Sequence, residues 1–341
     1  MLAQPEESLW AGLNERRRSL RSLPGLEEHA DLVALLRQVD EAIESFPDRM
    51  AQNDRQVAEV GRLPGPLGIC EACGIAVEES VLEIDPLARL CLECLSEAER
   101  RALEDDLNLA TRVQTALLPT RHLDTAGWET HFSYRPFGAV SGDYADLVDL
   151  DDGGVYFLFG DVSGKGFAAS LLMAHLQALF RSLSETEARP GRLLKRLNRA
   201  LSRSTLASSF ATAVAGRLDP SGRLVLANAG HNPPLWLQSG EIRPLGATGL
   251  PLGVACDADF ASLELDLGAG DLLFLYTDGV SEAVDRNGEE FGAERLGRLL
   301  SEGSFDSAQA ATRASLDAVG TFSRGVGQID DVTVMAIRRT D

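Results

Sequence analysis

The chain has 341 residues, enough for about two domains, and its 44% hydrophobic and 25% charged residues exclude global disorder. Its 52 acidic against 32 basic residues leave a formal charge of −20, which excludes a general binder of nucleic acid or anionic membrane, because phosphate would repel it. The amino terminus has no basic region followed by an apolar one, and the longest apolar-looking stretch, 167–180, is too short for a bilayer and contains His175 and Gln177; a soluble cytoplasmic protein without a membrane partner is expected.

In chain order, residues 6–23 predict a short amphipathic helix (Leu9, Leu13, Leu20), stopped by Pro24-Gly25. From Leu32 through Leu36, Val39, Ile43, Phe46, Met50, Asn53 and Val57 to Val60 the steps alternate 4-3, a heptad seam. Pro47 lies inside it and predicts a kink, since the register is the same on both sides. The seam serves either a second chain or this chain's own helix 6–23. Arg62–Gly68 is a proline/glycine linker.

Two Cys-x-x-Cys pairs follow, Cys70/Cys73 and Cys91/Cys94, separated by 17 residues. Two residues between thiolates let a tight turn aim both sulfurs at one ion, and two such turns complete a tetrahedron with no open position. One structural Zn²⁺ is expected; two disulfides or four unrelated thiols are the alternatives. Cys256 has no partner in sequence and is expected to be a buried small hydrophobe. The Gly68-Ile-Cys-Glu entry and the Arg89-Leu-Cys-Leu-Glu-Cys94 exit resemble the zinc finger of the DksA/TraR family. Some members of that family bind RNA polymerase.

After the cysteines, Leu103, Leu107, Ala110, Gln114 and Leu117 again step 4-3-4-3 on a charged helix ended by Pro119. Beyond it, β-rich runs lie at 155–159, 211–217, 223–228, 272–276 and 332–338, with helical patterns at 167–184, 190–205, 293–301 and 307–322. This mixture predicts an α+β domain of about 220 residues.

Aspartates abut the strands: Asp161 after 155–159, Asp278 after 272–276, Asp330-Asp331 before 332–338, and Asp143 and Asp146 ahead of the first. Carboxylates converging on one rim of a sheet repel one another unless a cation neutralises them, and hard oxygen ligands select Mg²⁺ or Mn²⁺. Gly160-Asp-Val-Ser-Gly-Lys-Gly166 is not a phosphate-binding Walker loop, which needs four residues between its glycines and a hydroxyl after the lysine. His231 sits in a Gly/Pro-flanked turn and reads as structural; His122 and His131 lack partners at metal-ligand spacing.

Six ordered motifs carry a resemblance: Ser141-Gly-Asp-Tyr144, Gly160–Gly166, Asn228-Ala-Gly-His-Asn-Pro-Pro234, Thr248-Gly-Leu-Pro-Leu-Gly253, Tyr276-Thr-Asp-Gly-Val-Ser-Glu-Ala283 and Asp330-Asp-Val-Thr333. Together they resemble the SpoIIE-type metal-dependent phosphatases of the PPM superfamily. The resemblance implies an α+β fold, a β-sandwich flanked by helices, with two Mg²⁺ or Mn²⁺ ions at one end. It implies that Asp161 bridges both ions, that the Val162 carbonyl completes one shell, that Asp278 and Asp330 bind the other ion, and that Asp143 holds metal-bound water. Eukaryotic members grip phosphate with an arginine; no residue here takes that place by motif.

The expected organisation is a helical, coiled-coil-like region at 1–63, a finger at 64–98, a linker helix at 99–119 and a phosphatase domain at 120–341. The resemblance implies hydrolysis of phosphoserine or phosphothreonine on a regulatory protein, such as an anti-sigma-factor antagonist, under control of the zinc-finger module. It also implies a parallel homodimer through residues 100–118; the alternative is that this seam packs within one chain. The rival reading is a transcription-regulating protein that docks on RNA polymerase through the finger.

Overall fold

Apolar runs too short for helices become strands buried on both faces, and these strands build the centre of the molecule. A computed structural model describes residues 13, 14, 17, 18, 21, 33–45, 68–78, 81, 82, 88–119, 122–125, 127–204 and 209–341. Eleven strands are present among them: β1 (His122–Thr125), β2 (Trp128–Arg135), β3 (Tyr144–Asp149), β4 (Val155–Val162), β5 (Ala211–Leu218), β6 (Arg223–Ala229), β7 (Leu235–Gln238), β8 (Glu241–Pro244), β9 (Leu263–Asp266), β10 (Leu272–Tyr276) and β11 (Val332–Arg339). They form a six-stranded sheet, β1-β2-β11-β10-β7-β8, and a five-stranded one, β3-β4-β5-β6-β9, with antiparallel neighbours throughout.

Side chains alternate across each strand, so a strand covered on both sides is apolar at every position. Phe157 and Phe159 of β4 point into the layer between the sheets, where they meet Met335 and Ile337 of β11. Tyr156 and Leu158 point outward, onto α3 (Gly166–Ser184) and α4 (Pro190–Ser204). On the other sheet, Val334 and Ala336 face α6 (Ala293–Glu302) and α7 (Ala308–Phe322). The expected helix-flanked β-sandwich is what forms. A fully buried phenylalanine contributes roughly 1.5–3 kcal/mol, so these three layers of apolar side chains carry the fold.

Residues 33–45 are helical (α1), as the seam predicts. Within this range the seam is used inside the chain. Leu35, Val39, Ala42 and Ile43 are buried with Leu13 against Leu250 and Val254 of the sandwich domain, with Phe210 alongside. Leu32, Phe46, Met50, Asn53, Val57, Val60 and the Pro47 kink lie outside the described residues.

The linker helix α2 (Glu97–Leu117) starts at a capping box in which Ser96 and Glu99 satisfy each other's backbone N–H groups, with Glu97 and Glu99 suiting the positive end of the helix dipole. Its heptad positions do not face outward. Leu103, Leu107, Ala110 and Leu117 are half-buried, and with Phe167, Ser170 and Ala174 of α3 they line one groove. Leu109 and Val113, outside the seam, are the exposed apolar residues of α2, beside exposed Leu171 of α3. Cys256 corrects the expectation of burial: it is exposed, in a turn whose carbonyl accepts from Asn198 Nδ2 at 2.9 Å. No described helix is long and apolar enough to cross a membrane.

Candidate metal centres

The four cysteines come together. Their sulfurs lie within 4.8 Å of one another, and Cys73 Sγ is 3.7 Å from Cys91 Sγ. A disulfide needs about 2.05 Å. The edge of a tetrahedron with metal–sulfur bonds of 2.3 Å is about 3.8 Å, so the donor set fits zinc. The turns that aim the sulfurs are closed by Gly74 N–H on the Cys70 carbonyl and Cys94 N–H on the Cys91 carbonyl. The Cys91 backbone N–H lowers the Cys70 thiol to about 6, while sulfur–sulfur hydrogen bonding, led by Cys91, raises Cys94. Among the described residues around the sulfurs, Val77 and Val81 are the buried aliphatic side chains, with Leu82, Ala88 and Leu90 partly buried, a small core that a bound ion would reinforce.

The carboxylates gather at one end of the sandwich, where the two sheets meet. Asp161 lies near the end of β4, Asp143 just before β3, Asp278 at the start of the one-turn α5 (Asp278–Ser281), and Asp330 just before β11. Gly142 stands at the centre. A Cβ there would lie 2.8 Å from the Val162 carbonyl oxygen and 3.1 Å from Asp161 Oδ1, so only glycine admits both oxygens. Its N–H donates to Asp331 Oδ2 at 3.2 Å, and its carbonyl accepts from Val162 N–H at 3.3 Å, which staples the two sheets together. Gly279 plays a similar part, since a Cβ would strike the Asp331 carbonyl at 1.9 Å.

Asp143 is buried, and its Oδ2 accepts from the hydroxyls of Thr277 and Thr333. Loss of water holds its carboxyl well above the usual range, with Asp331 and Asp278 adding repulsion. Asp161 is raised in the same way, first by burial and then by Asp143, Asp278, Asp330 and Asp331. Burial, then Asp330, raises Asp278. Mutually repelling carboxylates with one backbone carbonyl among them are a donor set for hard cations, and the residues present fit Mg²⁺ or Mn²⁺. Among the described residues the cysteines alone form a set of three or more ligand groups packed closely enough for a single ion. The carboxylates form no such single-ion set, and a pair of ions about 3.5–4 Å apart would span a wider one.

The other residues noted near these motifs take structural parts. Asp331 accepts from the Phe137 and Gly142 N–H groups. Asp146 is fully buried on the far side of β3 and pairs with Arg181 and the Tyr144 hydroxyl. His231 is buried, its Nδ1 2.8 Å from the Thr212 hydroxyl, and burial lowers it to about 4, so it is a neutral structural ring at neutral pH. Lys165 pairs with Asp330 at 2.9 Å. Burial pulls Lys165 down, but Asp330 and its neighbours outweigh this and hold the ammonium above its usual value.

Gln114, read as a seam position, is a buried clamp. Its Nε2 donates to the Ser141 carbonyl at 2.7 Å and its Oε1 accepts from Ser141 N–H at 3.0 Å. Ser141 Oγ in turn accepts from Asp143 N–H, and Thr111 of α2 donates to the Ala139 carbonyl. The linker helix therefore holds the loop that carries Asp143. Gln114→Leu strands two buried backbone groups, and a loss of roughly 2–5 kcal/mol is expected in chemical denaturation. An unchanged midpoint would show that water takes over the clamp.

Residues 151–340 match the family described as Stage II sporulation protein E (SpoIIE), more than half of the chain. The chain belongs to the SpoIIE family. Residues 65–100 match the prokaryotic DksA/TraR C4-type zinc finger, so a finger of that type precedes the SpoIIE-type phosphatase domain. Phosphoserine phosphatase RsbU of Bacillus subtilis is 29% identical over 245 residues, 70% of this chain and 72% of RsbU. Phosphoserine phosphatase RsbP of the same organism is 30% identical over 183 residues, 52% of this chain but 45% of RsbP. The SiaA-PP2C domain of Pseudomonas aeruginosa, at 20% identity, shares the fold: TM-score 0.63 over 71% of this chain and 99% of that domain.

Proposed function

We propose that this SpoIIE-family member is a metal-dependent serine/threonine protein phosphatase acting on a phosphorylated regulatory protein. The observation that carries the reading is the convergence of Asp143, Asp161, Asp278 and Asp330 on the Gly142 staple. Asp161 and the Val162 carbonyl would hold one divalent ion, Asp161 bridging to a second held by Asp278 and Asp330. Bound there, two Mg²⁺ or Mn²⁺ ions supply a water that ionises near neutral pH and offset charge on the phosphoryl oxygens. Asp143 has Oδ2 committed to two threonine hydroxyls, which leaves Oδ1 to orient and accept a proton from water. Reading the chain as a scaffold for RNA polymerase leaves these carboxylates without a role. The test is release of phosphate from a phosphoserine peptide with and without Mn²⁺; no metal-dependent release overturns the reading.

The similarity to the phosphoserine phosphatases RsbU and RsbP supports a phosphoserine substrate, and the proposed class is an anti-sigma-factor antagonist in the cytoplasm. One Zn²⁺ on Cys70, Cys73, Cys91 and Cys94 holds the finger, and the module at 1–98 controls the domain from residue 120 through the helix at 99–119. The chain acts as a homodimer, supported by the apolar patch of Leu109, Val113 and Leu171, each more than half exposed. Leu109→Glu/Val113→Glu is expected to convert a dimer to a monomer in light scattering with unchanged melting. Leu107 and Leu117 face this chain's own α3, so substitution there tests folding instead. A parent chain that is monomeric at micromolar concentration overturns the dimer.

A further inference from the structure

A phosphate monoester approaching four carboxylates needs a positive group that is not itself a metal ligand. Among the described residues, the only ion pair to any of Asp143, Asp161, Asp278 and Asp330 is made by Lys165. Its ammonium lies 2.9 Å from Asp330 Oδ2 and donates to the Ile329 carbonyl at 3.1 Å, with the Phe137 ring 5.6 Å from it. Lys165 is flanked by Gly164 and Gly166, with φ of 95° and 69°, and its side chain is 41% exposed. It therefore stands on a turn of unusual backbone freedom with room to move.

The helix end at Lys165 suits an anion. Lys165 is the N-cap of α3, makes no side-chain cap, and is followed by a first turn without acidic residues, so the helix presents unpaired N–H groups there. A mainly apolar cavity of about 150 Å³ opens beside it, lined by Leu107, Phe137, Val140 and Phe167 with the carboxylates Asp330 and Asp331, and Lys165 is the one cation in its lining. A divalent ion on Asp330 would compete with the ammonium for this carboxylate, which would leave Lys165 able to turn toward an anion in the adjoining cavity.

We propose that Lys165 is the phosphate-gripping residue of this site, its ammonium held beside Asp330 and within reach of phosphoryl oxygens bound at the carboxylates. The proposal rests on the phosphatase reading of the same site. It supplies the positive group that no motif in the sequence provided.

The test uses the full chain, with Lys165→Met to remove the charge and keep the stem over Phe137, and Lys165→Arg to keep the charge. Calorimetric titration with Mn²⁺, without substrate, is expected to show Lys165→Met binding the ion as tightly as the parent or several-fold more tightly. Titration of the Mg²⁺-loaded protein with inorganic phosphate is expected to show affinity reduced about tenfold or more in Lys165→Met and largely kept in Lys165→Arg. The phosphopeptide KM rises in step with the phosphate constant. Unchanged phosphate affinity in Lys165→Met overturns the proposal, as does weaker Mn²⁺ binding, which would make Lys165 a strut for the Asp330 loop. Phosphate titration needs no turnover, so a parent chain without phosphatase activity counts against the enzyme reading alone.

Discussion

Asp161→Asn is expected to abolish Mn²⁺-dependent phosphate release, by on the order of 10³-fold or more, while the metal-free protein melts no lower than the parent. The two halves of this result have one cause. Asp161 is the carboxylate pressed by burial and by four neighbouring aspartates. Removing its charge relieves repulsion in the metal-free fold and removes the oxygen that bridges two ions. The parent's rise in melting temperature on adding Mn²⁺ should shrink or vanish in the variant, since a ligand that binds only the folded state stabilises it by mass action. Near-parental turnover in a folded Asp161→Asn protein would sink the two-ion reading. A large fall in metal-free stability would instead make Asp161 a structural residue.

The second large effect is expected at the finger. Structural zinc contributes roughly 10–16 kcal/mol to folding small zinc peptides, far more than the few buried side chains among the described residues of this segment can supply. Cys70→Ser/Cys73→Ser should therefore lose about one zinc per chain in elemental analysis and become sensitive to proteolysis between residues 68 and 95. The sandwich, with its own three apolar layers, should stay resistant to the protease. A native parent protein free of zinc would overturn the assignment.

How far the sequence foretold this structure depended on how local each cause was. Val155–Val162, Leu272–Tyr276 and Val332–Arg339 were legible because burial on both faces leaves continuous apolar runs. Trp128–Arg135 was not, because Glu129, His131 and Ser133 interrupt it, although Trp128, Thr130 and Phe132 all point inward. Asp143, Asp161, Asp278 and Asp330 were recognised through their motifs, and the structure brings them to one end. The two threonines on Asp143 stand in those same motifs, yet their roles depend on β10 lying beside β11, 56 residues apart. Gln114 fitted a heptad and proved to be a clamp, since spacing says which face a residue occupies and not what it meets. Lys165 stood in a glycine turn that fails as a phosphate loop, and only its distance to Asp330 gives it a part.

The docking of α1 bears on how the enzyme can be dissected. Leu250 and Val254 are shielded from water by Leu35, Val39 and Ile43, and the loop that carries them is tied through Leu252 to Ala211, the strand partner of Val162. A fragment begun at α2 to isolate the catalytic domain would lay this apolar saddle bare. Such a truncation would be prone to self-association, and a separately supplied amino-terminal segment would restore its solubility by binding in trans. Helix α1 is thereby a removable wall of the sandwich domain, fitted over the loop that is bridged to the strand beside Asp161.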